Sequence, residues 1–160
     1  MTTFIPLNEG EVLITGGSQG VGRALAARFL SAGARVIVTG RSADRLQRVA
    51  ADLPGLETVV NDISAPSERE TLAAHVKHSM PGTNIVINNA GIQRRVSLAA
   101  DTSPWSERQT EIDTLLSGPV HLNHLLVPVM LAHGSPSMIA NVTSGAAYLP
   151  QPFLFARYLC

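Results

Sequence analysis

The apolar run Val12-Leu13-Ile14 leads straight into Thr15-Gly16-Gly17-Ser18-Gln19-Gly20-Val21-Gly22, and a helical pattern follows. That arrangement can hold phosphate. Glycines let a backbone turn tightly and approach a pyrophosphate closely. The N-terminus of the next helix adds free N–H groups and the positive end of its dipole. The spacing is T-G-x-x-x-G-x-G, not G-x-G-x-x-G. Gly17 to Gly22 also fits G-x-x-x-x-G, but Arg23 and Ala24 stand where a P-loop needs Lys and Ser or Thr. Nothing there would reach a terminal phosphate or hold Mg2+ in the usual way.

A second informative spot is Thr39-Gly40-Arg41-Ser42, at the end of the next apolar run. An acid there would accept hydrogen bonds from a ribose 2′-OH and repel a 2′-phosphate. No acid is present, and Asp44 comes a turn too late. Arg41 can pair with a phosphate through its guanidinium fork, and Ser42 can donate a hydrogen bond. This favours NADP over NAD as a ligand. The competing reading of Arg41 is a solvated residue at a helix start.

The elements that must position these residues alternate. Val12-Leu13-Ile14, Val36-Ile37-Val38, Thr58-Val59-Val60, Ile85-Val86-Ile87 and Met138 to Val142 read as five strands. They are continuous apolar runs, the pattern of strands buried on both faces. Val21, Ala24, Leu25, Phe29 and Ala32 keep helical spacing, and Gly33 supplies a stop. Ser42 is placed to cap a second helix running to about Asp52. A third starts at Pro66 and closes at Pro81-Gly82. A fourth begins near Trp105 and runs past Leu126, with Ile112, Leu115, Leu116, Leu122, Leu125, Leu126 and Val129 on one face. Pro119 should kink or strain it. Such alternation predicts an α/β fold with a doubly wound parallel sheet, its ligand site beyond the carboxyl ends of the strands.

Composition narrows the classes. The 160 residues are 45% hydrophobic and 15% charged, so a single folded domain over residues 1–160 is expected rather than disorder. Twelve basic side chains balance twelve acidic ones, which argues against nucleic acid or an anionic membrane as the main partner. One cysteine, Cys160, leaves no internal disulfide and no cysteine-based zinc site. No apolar run of about 18 residues is evident, so no membrane-spanning helix is expected. Met1 to Glu9 lacks the basic patch and apolar stretch of a secretory signal, and a cytoplasmic location follows as the expectation. His121 and His124 sit three apart on the long helix; without a third ligand they read as solvated or interface residues, and no metal site is expected. Arg94 and Arg95 read as an exposed loop pair. Trp105 either lines a pocket or packs the helix start.

The glycine motif after a first strand resembles the short-chain dehydrogenase/reductase family, and further matches come in the right order. Asn88-Asn89-Ala90-Gly91 stands where the family has N-N-A-G. Asp62-Ile63 follows the third strand, where the family places an Asp against the adenine. Glu111-Ile112 and Gly118-Pro119 resemble its long interface helix, and Asn141-Val142-Thr143-Ser144 its fifth strand ending in the catalytic serine. The resemblance runs from about Glu11 to Ser144. It implies a Rossmann-like sheet of about five strands in the order 3-2-1-4-5. It also implies NADP, or less readily NAD, held by Gly16, Ser18, Gln19, Gly20, Val21, Gly22, Arg41, Ser42, Asp62, Ile63, Asn89, Ala90 and Gly91. Hydride would pass between the nicotinamide and a small carbonyl or alcohol substrate, and copies would associate through the long helix, Trp105 to Val129.

The family's catalytic set is asparagine, serine, tyrosine and lysine, in the general acid–base roles such residues perform. Ser144 fits the serine. The asparagine should precede Gly118 by three residues, where this chain has Leu115. The tyrosine should come about thirteen residues after the serine, which falls on Arg157, with Tyr158 one place late. Tyr148 has Pro152 four residues on and fits no better. The lysine should follow the tyrosine by four, past Cys160, and the only lysine, Lys77, lies in the third helix. Holding an unperturbed tyrosine ionised at pH 7 costs about 4 kcal/mol, and no lysine offsets it. Family members are usually longer, so the chain reads as a C-terminally truncated member whose sheet is incomplete at that end. Two functions follow: an NADP-dependent oxidoreductase, or a nucleotide-binding fragment or interaction module without turnover.

Overall fold

The computed structural model describes residues 5–94, 100–132 and 134–144. Five parallel strands form one sheet: β1 Glu11–Ile14, β2 Arg35–Gly40, β3 Glu57–Val60, β4 Ile85–Asn88 and β5 Met138–Asn141. Their spatial order is β3-β2-β1-β4-β5, as expected. Helices α1 Gly20–Ser31, α2 Ala43–Asp52, α3 Pro66–Ser79, α4 Trp105–Ile112 and α5 Gly118–Ala132 connect and cover them.

The two faces of the sheet carry separate cores, because successive residues of a strand point to opposite sides. Val12 and Ile14 of β1 and Val36 and Val38 of β2 pack with Ala26 of α1 and with Leu46 and Val49 of α2. Leu13, Ile37 and Val86 pack on the other face with Leu72 and Val76 of α3 and with Leu122, Leu126 and Met130 of α5. Only β1, β2 and β4 are buried throughout their apolar runs. The outer strands depart from the expectation of full burial. Val60 at the end of β3 and Met138 of β5 are exposed, since an edge strand lacks a neighbour on one side.

Ser42 caps α2 as predicted, its hydroxyl accepting the Arg45 N–H at 3.3 Å. Pro66 begins α3. The long helix needs three corrections. Its backbone widens into a π-helical turn over Asp113–Ser117 just before Gly118-Pro119. Pro119 has no N–H to give and its ring crowds the preceding turn, so the extra residue in that turn absorbs the strain. The predicted single apolar face also divides: Leu122 and Leu126 are buried, Leu116 is exposed, and Met130 takes a core position. Finally, Trp105–Ala132 runs on as one helix of 28 residues, long and apolar enough to cross a membrane by length and composition. Ser117, His121, Asn123 and His124 interrupt the run, so the helix exceeds the length expected without being a continuous apolar stretch. Its buried side chains nonetheless pack on α3 and the sheet.

Candidate functional site

The carboxyl ends of β1, β2 and β3, the start of α1 and the segment after β4 enclose a cleft of about 500 Å3. Its floor is the glycine turn. Gly16 adopts φ +70°, and a Cβ there would lie 2.7 Å from the Ala90 Cα. Only glycine lets the turn press against the N-N-A-G segment in that way. Gly20, at φ +57°, has nothing within 4 Å of its would-be Cβ, so the N-terminus of α1 stays open to a ligand.

The two motifs are bolted together by hydrogen bonds. The buried Thr15 hydroxyl oxygen accepts the N–H groups of Asn89 and Ala90, both at 3.0 Å. The Asn89 side-chain amide donates to the carbonyls of Thr15 and Gly16, also at 3.0 Å. Asn88 turns the other way and donates to the side chains of Asn123 on α5 and Asn141 on β5. The paired asparagines therefore do different jobs, one shaping the glycine turn and one tying β4 to its neighbours.

Twelve of the thirteen residues expected at the cofactor line this cleft: Gly16, Ser18, Gln19, Gly20, Val21, Arg41, Ser42, Asp62, Ile63, Asn89, Ala90 and Gly91. Gly22 does not. It faces the turn from behind, where a Cβ would stand 2.5 Å from both the Asn89 Nδ2 and the Gly16 oxygen, so its role is packing. Val21 was read as part of the helix's apolar face, yet it is 59% exposed and borders the opening. The cleft also takes in Thr39, Gly40, Arg45, Asn61, Ile92 and Thr114, which sequence reasoning missed. Arg45 was within reach of it. Arg41 lies just before the Ser42 cap and Arg45 in the first turn of α2, and both side chains reach the same wall.

Charge at this wall is positive. Arg41 has no ion-pair partner among the described residues, and Arg45 donates to the Gln19 side chain at 3.2 Å. A second hollow of about 280 Å3 adjoins the cleft at Ser18, Gln19 and Arg45 and is bordered by Arg23 and Arg48. Arg23 pairs with Asp52 at 2.8 Å. Next to the third strand, the Asp62 carboxylate accepts the N–H and hydroxyl of Ser64 at 2.9 and 2.7 Å, closing a tight turn in front of α3.

The opposite end of the cleft is built differently. Leu115 stands 3.5 Å from where a Gly91 Cβ would be, an apolar side chain against the N-N-A-G segment. One turn earlier, buried Glu111 accepts the Arg94 N–H at 3.0 Å. Arg94 is not the exposed loop residue predicted: its guanidinium donates to Ser103 at 2.8 Å and pairs with Glu107 at 2.5 Å. Asp101 accepts from Ser103 and pairs with Arg108 at 2.9 Å. Those contacts, the Ser103 hydroxyl and N–H foremost, hold the Asp101 carboxyl down to about 2. Trp105 is exposed at the start of α4 and does not line the cleft. Ser144 lies three residues past β5, outside the cleft lining. Arg95, Tyr148, Arg157 and Tyr158 fall outside the described residues. His121, expected to be a solvated or interface residue, is half-buried and accepts a hydrogen bond from Arg69.

Residues 11–158 match the short chain dehydrogenase family. The uncharacterized oxidoreductase DltE of Bacillus subtilis is 36% identical over 144 residues, covering 90% of this chain and 57% of its own length. L-sorbose reductase from Gluconobacter frateurii, solved with NADPH and L-sorbose, superposes with a TM-score of 0.86 at 26% identity over 97% of this chain and 60% of that one. The 3-ketoacyl-(acyl-carrier-protein) reductase from Brucella melitensis, solved with NADH, gives 0.83 at 30% identity, covering 94% and 63%. The chain thus spans a little over half the length of the curated relatives it matches.

Proposed function

The chain belongs to the short-chain dehydrogenase family, and from that premise we propose that its cleft binds NADP(H) in preference to NAD(H), in the service of an oxidoreductase acting on a small carbonyl or alcohol. The observation that carries the preference is the wall at the end of β2. Arg41, Ser42 and Arg45 line it, and no acidic side chain stands among them. A 2′-phosphate would meet two guanidinium groups and a hydroxyl there, whereas a ribose 2′-OH would find no carboxylate. The cradle fits the rest of a dinucleotide: the open N-terminus of α1 at Gly20 suits a pyrophosphate, and Asp62 with Ile63 offers a flat edge for an adenine.

When bound, the nicotinamide supplies or accepts the hydride. Ser144 would hold the substrate oxygen and Tyr158 would exchange its proton, by analogy with the family. A second reading, binding without turnover, rests on Leu115 at the asparagine position and on Lys77 being the only lysine, in α3 and away from the cleft. Leucine cannot order a relay water. Self-association through the long helix is part of the proposal. Val120 and Leu131 are 62% and 70% exposed along it, a large apolar surface for a helix to leave in water.

Fluorescence titration of the chain with NADPH beside NADH tests the reading. Saturable binding that is tighter for NADPH is expected. Equal binding of both would remove the role of Arg41 and Arg45, and no binding of either would remove the nucleotide site. Reduction of generic ketones with NADPH separates the two functions, since turnover above background eliminates the second.

A further inference from the structure

Arg69 is a buried cation without a carboxylate partner among the described residues; it is 4% exposed on the inner face of α3. Its Nη1 donates to the Ile63 carbonyl at 2.7 Å and, more weakly, to the Ser64 carbonyl at 3.4 Å. Its Nε donates to His121 Nδ1 on α5 at 3.0 Å. A guanidinium can only donate, so Nδ1 must be the unprotonated nitrogen of that ring. The Ile63 carbonyl is confined from the other side as well, because a Cβ on Gly118 would sit 2.8 Å from it. Asp62 and Ile63 are the residues this turn presents to the cleft.

We propose that Arg69, oriented by His121, is a positioning residue that holds the Asp62-Ile63-Ser64 turn in the shape that receives the adenine end of the dinucleotide. The proposal rests on the nucleotide reading of the cleft. The entry into α3 is already secured without Arg69: Asn61 donates its side-chain amide to the Glu68 carbonyl at 2.9 Å, and the Glu68 carboxylate accepts the Asp62 N–H. Arg69 adds the one contact that reaches across from α3 to the turn and on to α5. Burying a charge for that contact is costly unless it is hydrogen-bonded, and the two carbonyls and the imidazole take up its Nη1 and Nε donors. Because the Asp62-Ile63 turn would receive the adenine, which NADPH and NADH share, Arg69 acts on both ligands alike.

The test compares NADPH and NADH titrations of the unsubstituted chain with Arg69→Met, His121→Leu and His121→Gln, each checked for folding by circular dichroism. Arg69→Met should weaken both ligands by the same factor, about tenfold for one lost charge-assisted hydrogen bond, and leave their ratio unchanged. His121→Leu should weaken both less, and His121→Gln, which keeps an acceptor, should retain the affinity. A purely packing role for His121 predicts the reverse order of the last two, since leucine keeps apolar contact at this half-buried position that glutamine does not. The histidine pair decides the matter if Arg69→Met does not fold. Binding by the unsubstituted chain with unchanged affinity in the folded variants overturns this proposal alone. Absence of binding by the unsubstituted chain overturns the nucleotide reading and this proposal with it.

Discussion

The two ends of the cleft are built by different means. At the β1–β2–β3 end the wall is mostly backbone and short side chains. The glycine turn is locked by Thr15 and Asn89, the Asp62 turn closes on Ser64, and α2 starts on its own serine cap. Every one of these contacts joins segments that leave adjacent, fully buried strands or their immediate neighbours. At the β4–β5 end the wall depends on side chains from a long connection and an exposed edge. Leu115 comes from a π-helical turn, Glu111 and Arg94 knit the connection to α4, and β5 is only partly covered. Binding geometry and catalytic geometry therefore make different demands on a chain. The first needs a tight turn and a helix end, while the second needs several functional groups delivered from distant parts of the chain to within a few tenths of an ångström.

The comparison breaks most sharply at Gly16. Gly16→Val puts a branched side chain at φ +70° and into the Ala90 backbone. It should lower stability by about 1–3 kcal/mol from backbone strain alone, with the clash adding to that. Denaturant unfolding measures the loss, and NADPH titration should show binding abolished. A folded variant that still binds would mean the phosphate turn is not the rigid part of the molecule.

Arg41→Ala with Arg45→Ala sharpens the same end. NADPH affinity should fall roughly 10- to 100-fold, the range for charge-assisted hydrogen bonds, while NADH affinity stays put. Paired titrations read the ratio. Parallel losses for both cofactors would place the 2′-phosphate elsewhere.

Leu115→Asn probes the opposite end. A polar amide in this partly buried position should cost about 1–3 kcal/mol of stability where its partners are missing. NADPH affinity should barely move, since Leu115 does not line the cleft, and ketone reduction is compared with that of the unsubstituted chain. Turnover in this variant would show the catalytic half to be one substitution from complete.

The smallest effect belongs to the neck of the connection. Asp101 has its carboxyl held down to about 2 by Ser103 and Arg108. A carboxyl depressed in the fold stabilises it fully above the unfolded value near 4, and that contribution fades as pH falls through the folded value. Amide protection around residues 100–108, the exchange rate taken relative to the intrinsic rate at each pH, should therefore fall between about pH 4 and pH 2. Ser103→Ala should move the onset to higher pH. An onset that does not shift would assign the acid sensitivity to another carboxylate.

Much of the nucleotide end was legible beforehand because its determinants are local. A glycine run between a strand and a helix, a serine before α2 and an acid missing after β2 are all read within a few residues of chain. Arg45 escaped because its meaning depends on which turn of α2 faces the cleft. Thr114 escaped because a π-helical turn shifts the face that periodicity would assign. Gly22 was placed on the wall, but the helix turns it inward against Asn89. His121 was read as a solvated or interface residue and Arg94 as an exposed one because no sequence neighbour explains them. Their partners, Arg69 and Ser103 with Glu107, come from other elements.

Alternating apolar runs and helical patterns by themselves determined an α/β fold with a parallel sheet, since each βαβ crossover has one favoured hand, while the motifs and their order along the chain carried the family and, with it, the strand order. Tertiary structure alone decided which polar side chains are buried and what they hold. Arg69 reaching from α3 to the Ile63 carbonyl, with His121 of α5 behind it, is a contact between residues 52 apart. No periodicity encodes such a pair, because it exists only once two helices have packed on the same face of the sheet.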